Sequence, residues 1–202
     1  WTFDGTTATT YTDSTATPQN IGVVSINKTD TVAPATNNKL TLASSMTVDT
    51  LTIDGTVGSP DILDLASGPY TLTLANTGAT ATVLTVNGTL TPGTSTVKYS
   101  ATNSAGNINV TTTTYDSLQF SLAETYVLTN NLTDANTLTG NLTINTGAIL
   151  NTVAASNYGI TLAGNWTNSG TFTANSNTVT FSGNASAHQT ITTAGQAFYN
   201  LT

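Results

Sequence analysis

The 202-residue chain has no cysteine and no arginine. Without thiols it has no disulfide framework and no thiolate metal site. Its basic residues are Lys28, Lys39 and Lys98 alone, set against ten acids, for a net charge of −7. Phosphate binding needs clustered Lys and Arg, so nucleic acid is excluded as a partner, and anionic membrane surfaces are disfavoured on the same ground. Charged residues make up only 6% of the chain, against about 25% in an ordinary globular protein. Helix patterning is missing too: no window sets apolar residues at i, i+3, i+4 and i+7 between Glu or Lys. No apolar run approaches the roughly 18 residues that a membrane span needs. The chain begins at Trp1 without a signal peptide, which reads as a processed or trimmed product of a longer precursor.

What is present is strand chemistry. Hydrophobic residues are 38% of the chain, and Val, Ile, Leu and Thr are spread evenly along it. Disordered chains lack these residues, whereas strands are built from them. They recur as triads in which two apolar residues flank one other. A series of them runs Val24-Ser25-Ile26, Leu51-Thr52-Ile53, Leu72-Thr73-Leu74, Val97-Lys98-Tyr99, Leu118-Gln119-Phe120, Leu142-Thr143-Ile144, Ile160-Thr161-Leu162, Val179-Thr180-Phe181 and Tyr199-Asn200-Leu201. In a strand, both apolar side chains of a triad point to one face and the middle residue to the other. Steps of 18 to 27 residues between triads suit one coil of a parallel β-solenoid. The expected fold is therefore all-β, a parallel β-solenoid (β-helix) of about nine coils. The alternative is one or two β-sandwich domains, because further triads such as Leu40-Thr41-Leu42 and Leu84-Thr85-Val86 also give sandwich-like strand spacing.

A longer repeat lies over the triads. Val97-Lys98-Tyr99-Ser100 aligns with Val179-Thr180-Phe181-Ser182. This divides the chain into 1–27 as the end of a preceding repeat, 28–119 as a repeat unit with an insertion at 56–70, and 120–202 as a second unit, truncated. The insertion reads as a protruding loop. Pro18, Pro34, Pro60 and Pro69 interrupt the first third, where a different fold stays open.

Residues 140–202 carry Gly164, Asn165, Trp166, Thr167, Asn168, Gly170, Thr171, Phe172, Val179, Phe181, Gln189, Ile191, Phe198, Tyr199, Asn200 and Leu201 in the pattern NWTNSGTFTA…TVTFSG…QTI…FYNLT. This pattern resembles the repeat modules of large bacterial and archaeal cell-surface, adhesin-like β-helical proteins. The resemblance implies a repetitive rod at the cell surface or in an extracellular filament. It also implies a structural or adhesive role, and it transfers no catalytic residue.

The residues offer little chemistry. His188 is the only histidine and has no acid near it in sequence, so a triad or metal site lacks partners. The densest acidic stretch holds Asp54, Asp61 and Asp64. Those oxygens are a candidate calcium site, though nothing matches the D-x-[DN]-x-[DN]-G loop. A polysaccharide-cleaving β-helix would need two facing carboxylates, plus Arg or Lys beside a carbanion. Three scattered lysines supply that poorly. No catalytic residue and no cofactor is expected.

Outward Thr-x-Thr pairs could build an ice-binding face. On the triad series, however, the pairs run Thr50/Thr52, Thr71/Thr73, Thr96/Lys98, Ser117/Gln119, Asn141/Thr143, Gly159/Thr161, Thr178/Thr180 and Phe198/Asn200, broken at four or more coils. Trp1, Trp166, Phe172 and Phe198 suit core corners better than a sugar-stacking surface. Asn-x-Ser/Thr sequons stand at Asn27, Asn87, Asn109, Asn131, Asn141, Asn165, Asn184 and Asn200, about what chance gives in so Asn- and Thr-rich a chain. They are candidate glycosylation sites if the chain is extracellular.

The sequence thus leads to a non-enzymatic structural or adhesive module, extracellular or at the cell surface. Its expected partners are copies of itself in a filament or further repeats of its own chain. A carbohydrate-binding module, with calcium or without, is the alternative.

Overall fold

The computed structural model describes residues 1–30, 37–56, 59–133, 136–183 and 188–202. Its strands follow the chain in turns of a coil. The first turn holds β1 (Thr2–Phe3), β2 (Thr9–Tyr11) and a bridge at Asn20. The second holds β3 (Val23–Ile26), β4 (Lys39–Leu42) and β5 (Met46–Val48). The third runs β6 (Thr50–Ile53), a hairpin of β7 (Gly55–Thr56) and β8 (Ser59–Pro60), then β9 (Ile62–Asp64) and β10 (Thr71–Leu74). Next come β11 (Leu84–Val86), β12 (Thr89–Thr91) and β13 (Thr96–Tyr99). The fifth turn holds β14 (Ile108–Val110) and β15 (Ser117–Phe120), the sixth β16 (Thr125–Leu128) and β17 (Leu142–Ile144). The seventh has β18 (Ile149–Asn151), β19 (Ile160–Leu162) and β20 (Trp166–Asn168). The eighth has β21 (Thr171–Thr173), β22 (Thr178–Phe181) and β23 (Ile191–Thr192), and β24 (Asn200–Leu201) lies beyond it.

Successive turns stack in parallel, so each strand pairs with the strand one turn away rather than with its neighbour in sequence. The result is a β-solenoid of about eight turns with three faces. The longest sheet is β5-β10-β13-β15-β17-β20-β23. Its inward column is Met46, Leu72, Val97, Leu118, Leu142, Trp166 and Ile191, so one turn takes 21 to 26 residues. A second face runs β1-β3-β6-β11 and continues, through the bridge Thr82↔Asn109, into β14-β16-β18-β21. The third carries β2-β4-β9-β12 and, further along, β19-β22-β24. At roughly 4.8 Å per turn the stack rises about 38 Å. A β-sandwich would need antiparallel sheets packed face to face; the only antiparallel pair among the described residues is β7 with β8.

Alternation builds the core. Strands such as β4, β6, β10, β13 and β15 read partly exposed, buried, partly exposed, buried along the chain. The buried members form one hydrophobic cluster from Val24 to Val179. Each contributes roughly 1.5–3 kcal/mol relative to exposure. Aromatic rings fill the wider parts. Tyr99, Phe120 and Tyr126 pack with centroids 5.1 to 6.2 Å apart. Trp166 meets Phe172 edge-on at 4.8 Å and Phe198 at 5.1 Å.

Three expectations change. The triad series follows no single face: Val24 and Leu51 lie on the β3-β6 face, Leu72 to Leu142 on the longest sheet, and Ile160, Val179 and Leu201 on the β19-β22-β24 face. Counting across faces gave nine coils instead of about eight. The alignment of Val97 with Val179 likewise joins β13 on one face to β22 on another. The stretch 56–70 does not protrude as a whole: only its hairpin leaves the ladder. Asp61, Leu63 and Leu65 are inward and buried, and β9 pairs with both β4 and β12. The described residues of the first third share the ladder of the rest, and Pro34 lies outside them.

Candidate functional site

The interior carries a polar island in the second and third turns. Lys28 is 2% exposed. Its Nζ donates to Asp4 O at 2.9 Å, Thr7 O at 2.9 Å and Thr9 Oγ1 at 2.6 Å, tying the first turn to the second. The Lys28 backbone N–H donates to Asp61 Oδ2 at 3.1 Å, while the buried Asp61 Oδ1 has no hydrogen-bond partner among the described residues. Burial pushes the Asp61 carboxyl above the usual carboxylate range. The Lys28 N–H bond opposes this and the Asp54 charge adds to it.

The calcium candidates are therefore not gathered on one loop. Asp61 points inward. Asp64 sits on the outer surface of β9 in an ion pair with Lys39, 3.1 Å away. Asp54 accepts from Ser25 Oγ at 3.0 Å on another face. Among the described residues no group of three or more His, Cys, Asp or Glu is placed to hold a metal ion. His188 lies exposed after the segment 184–187, which is outside the described residues.

A second interior polar cluster satisfies itself. Tyr99 Oη and Tyr115 Oη lie 3.1 Å apart. Thr111 N–H donates to Tyr99 Oη at 3.1 Å, and Tyr115 Oη donates to Thr111 O at 2.6 Å. Burial raises both phenols above their ordinary range. This network closes a core rather than presenting a reactive group to solvent.

The core reading of the aromatic set holds for three residues and fails for Trp1. Trp166 and Phe172 are buried, and Phe198 packs on both, whereas Trp1 is 76% exposed at the N-terminal end. Trp1, with Val23 exposed beside it, lies a whole stack away from Tyr199. No sugar-stacking surface joins them.

The outer surface of the longest sheet is more regular than the sequence series indicated. Its middle column is Thr47, Thr73, Lys98, Gln119, Thr143, Thr167 and Thr192. This one column is broken at two rungs, but as Thr-x-Thr pairs the face is still interrupted at Thr96/Lys98, Ser117/Gln119, Asn141/Thr143 and Asn165/Thr167. The column beside it binds along the stack. Asn141 N–H donates to Ser117 Oγ at 3.0 Å, Asn165 N–H to Asn141 Oδ1 at 2.8 Å, and Thr190 N–H to Asn165 Oδ1 at 2.7 Å. In the sequence Asn141 figures as a sequon and in an outward pair, and Asn165 as a sequon and in the repeat pattern, neither as a ladder residue. The sequence signal for the ladder is an Asn or Ser just before the inward residue in each of three successive turns.

The same geometry sorts the glycosylation candidates. Asn27, Asn87 and Asn200 are exposed. Asn131, Asn141 and Asn165 lend Oδ1 to the backbone of another turn, Asn131 to Gly159 N–H at 2.7 Å. Asn109 commits its Nδ2 to Thr82 Oγ1 at 3.1 Å. Asn184 lies outside the described residues.

The two ends of the solenoid are the remaining feature. Phe3 stands over Ile26 and Tyr11 over Leu42 in the inward columns. At the other end, Ile191 stands over Trp166 and Leu201 over Val179. Val24, Trp166 and Val179 are at most 1% exposed, but Ile191 is 41% and Leu201 53% exposed. In the last rungs of the described stack these inward positions are thus less covered than the rungs before them. Comparison with protein-family models, curated proteins and solved structures finds no match.

Proposed function

We propose that the chain is a non-enzymatic structural module. It is a stiff solenoid rod at the cell surface or in an extracellular filament, with an adhesive or spacer role. The observation that supports this is the unbroken stack of about eight parallel turns around one filled core. A solenoid resists bending because every turn is bonded to the next along the axis. The outer surface supports the extracellular reading. It is built from Thr, Asn and Ser with few charges, so it presents little for electrostatic steering of a ligand. The likeness of residues 140–202 to repeat modules of adhesin-like surface proteins points the same way.

Antibody labelling of intact source cells tests the location. The expected result is label on cells that have not been permeabilised; label only after permeabilisation contradicts the reading. A glycan array with and without chelator separates the carbohydrate-binding alternative. The structural reading expects no glycan bound, and chelator-sensitive binding would favour the alternative.

A further inference from the structure

We propose that Asn87 is a self-modification site: its side-chain amide closes on the Gly88 backbone and then opens to a carboxylate, adding negative charge at the corner between β11 and β12. The reaction needs no second protein. The Gly88 nitrogen loses its proton to base in the solvent, attacks Asn87 Cγ and forms a new C–N bond. The Cγ–Nδ2 bond breaks, and Nδ2 leaves as ammonia. Water then adds to one of the two carbonyls of the cyclic imide. The ring opens to aspartate, or to isoaspartate, in which the main chain runs through the side-chain carboxyl carbon.

Three observations select Asn87. It is exposed, and its side chain is hydrogen-bonded to nothing among the described residues. The residue after it is glycine, which has no Cβ to obstruct the approach of its own nitrogen, and no other asparagine in the chain precedes a glycine. Asparagines that precede the next smallest residue, serine, are tied down. Asn103 Oδ1 accepts from Ala105 N–H at 3.0 Å, Asn168 Oδ1 from Gly170 N–H at 2.9 Å, and Asn175 Nδ2 donates to Asn151 Oδ1 at 2.9 Å. Among the described residues, those whose side chains are free precede larger residues: Lys28, Asn38, Ile108, Thr137 and Leu201. The third observation is the hold on the attacking nitrogen. Asn87 N–H and Gly88 N–H share the Ile53 carbonyl, at 2.9 and 3.2 Å, so the Gly88 bond is the weaker half of a shared pair.

Packing fixes the glycine in place. A Cβ on Gly88 would run into the carbonyls of Asp54 and Asp61. The corner therefore demands the very residue that makes Asn87 reactive. The same packing gives the product its effect. Val86 pairs with Ile53, which sets residue 87 one rung, about 4.8 Å, from Asp54. A carboxylate at 87 meets like charge there. The extra main-chain carbon of isoaspartate has no slack to enter beside Gly88. The converted chain is thus less stable than the native one, with the damage centred on the third and fourth turns.

The test ages the folded 202-residue chain, made without glycans, in mildly alkaline buffer and locates deamidation by peptide mass mapping. Asn87 should convert at least about ten-fold faster than any other described asparagine. Unfolding the chain in denaturant should narrow that gap, because it frees Asn103, Asn168 and Asn175. Asn87→Asp should lower the denaturation midpoint at low salt, with the loss shrinking as salt is added, and Asn87→Ser should leave it nearly unchanged. The proposal is overturned if another described asparagine converts first, or if unfolding leaves the gap as it was. It is equally overturned if Asn87 converts in the unfolded chain and not in the folded one, which would show the Gly88 bond to Ile53 protecting it. An Asn87→Asp variant that melts like the native chain at low salt overturns the effect assigned to the product.

Discussion

Asp61 occupies an inward position of the third turn, with Oδ2 held by the Lys28 N–H and Oδ1 facing no donor among the described residues. A buried carboxylate in this setting is disfavoured in its charged form, which is why its pKa is raised. The folded state therefore holds the proton more tightly than the unfolded chain, whose carboxyl titrates near 3.9. Stability from this group is fully present below about pH 3.9 and is lost as pH rises through the higher folded value. Asp61→Asn keeps the acceptor for Lys28 N–H and removes the charge. We expect it to raise the denaturation midpoint at pH 7 and leave it nearly unchanged at pH 3. Equal effects at both pH values would contradict the assignment. Lys28 shows the converse case: its ammonium is buried but meets two carbonyls and a hydroxyl, so the same interior tolerates it. In the sequence Asp61 shows only as one of a dense acidic stretch and Lys28 as one of three basic residues, because a Lys or Asp between Thr-rich strands looks the same whether it points in or out.

At the scale of the strand and its corner, much was legible. Each apolar triad reports its own inward pair, and nearly every triad in the sequence is a strand in the structure. Which triads stack on which was not legible, because all three faces carry the same pattern. The clearest failure is the rung after Leu142. Counting triads leads to Ile160, whereas the structure pairs Leu142 with Trp166. Trp166-Thr167-Asn168 hides as a triad because its second inward residue is polar. Asn168 is 1% exposed and accepts from Gly170 N–H at 2.9 Å, so the core admits it. The Asn and Ser ladder is hard to read for a related reason: its bonds run between turns, so its signal is a single Asn or Ser before the inward residue, repeated one turn apart. Its contribution can be read by substitution. Asn141→Ala removes the acceptor for Asn165 N–H and should lower stability by about 1 kcal/mol, the usual worth of one such bond. Thr143→Ala, on the outer column of the same strand, should change the denaturation midpoint by much less. Equal losses in the two variants would show that the ladder adds nothing.

At the scale of the whole molecule, the structure is a single column of turns whose inner surface is apolar and whose outer surface is hydroxyl- and amide-rich. The absence of helix patterning and the low charge both agree with that form, since neither a helix face nor a charged shell is needed to cover a solenoid. The rod reading depends on the stacked register, and the chain's lack of cysteine allows that register to be measured without background. Thr143 and Thr167 are partners on adjacent rungs, whereas Thr143 and Thr161, which the triad series places together, lie on different faces. Neighbouring parallel strands are about 4.8 Å apart, within the Cα separation that a disulfide spans. Cysteines placed at 143 and 167 should therefore oxidise to an intramolecular bridge, and cysteines at 143 and 161 should not. A bridge in the second pair and none in the first would contradict the solenoid described.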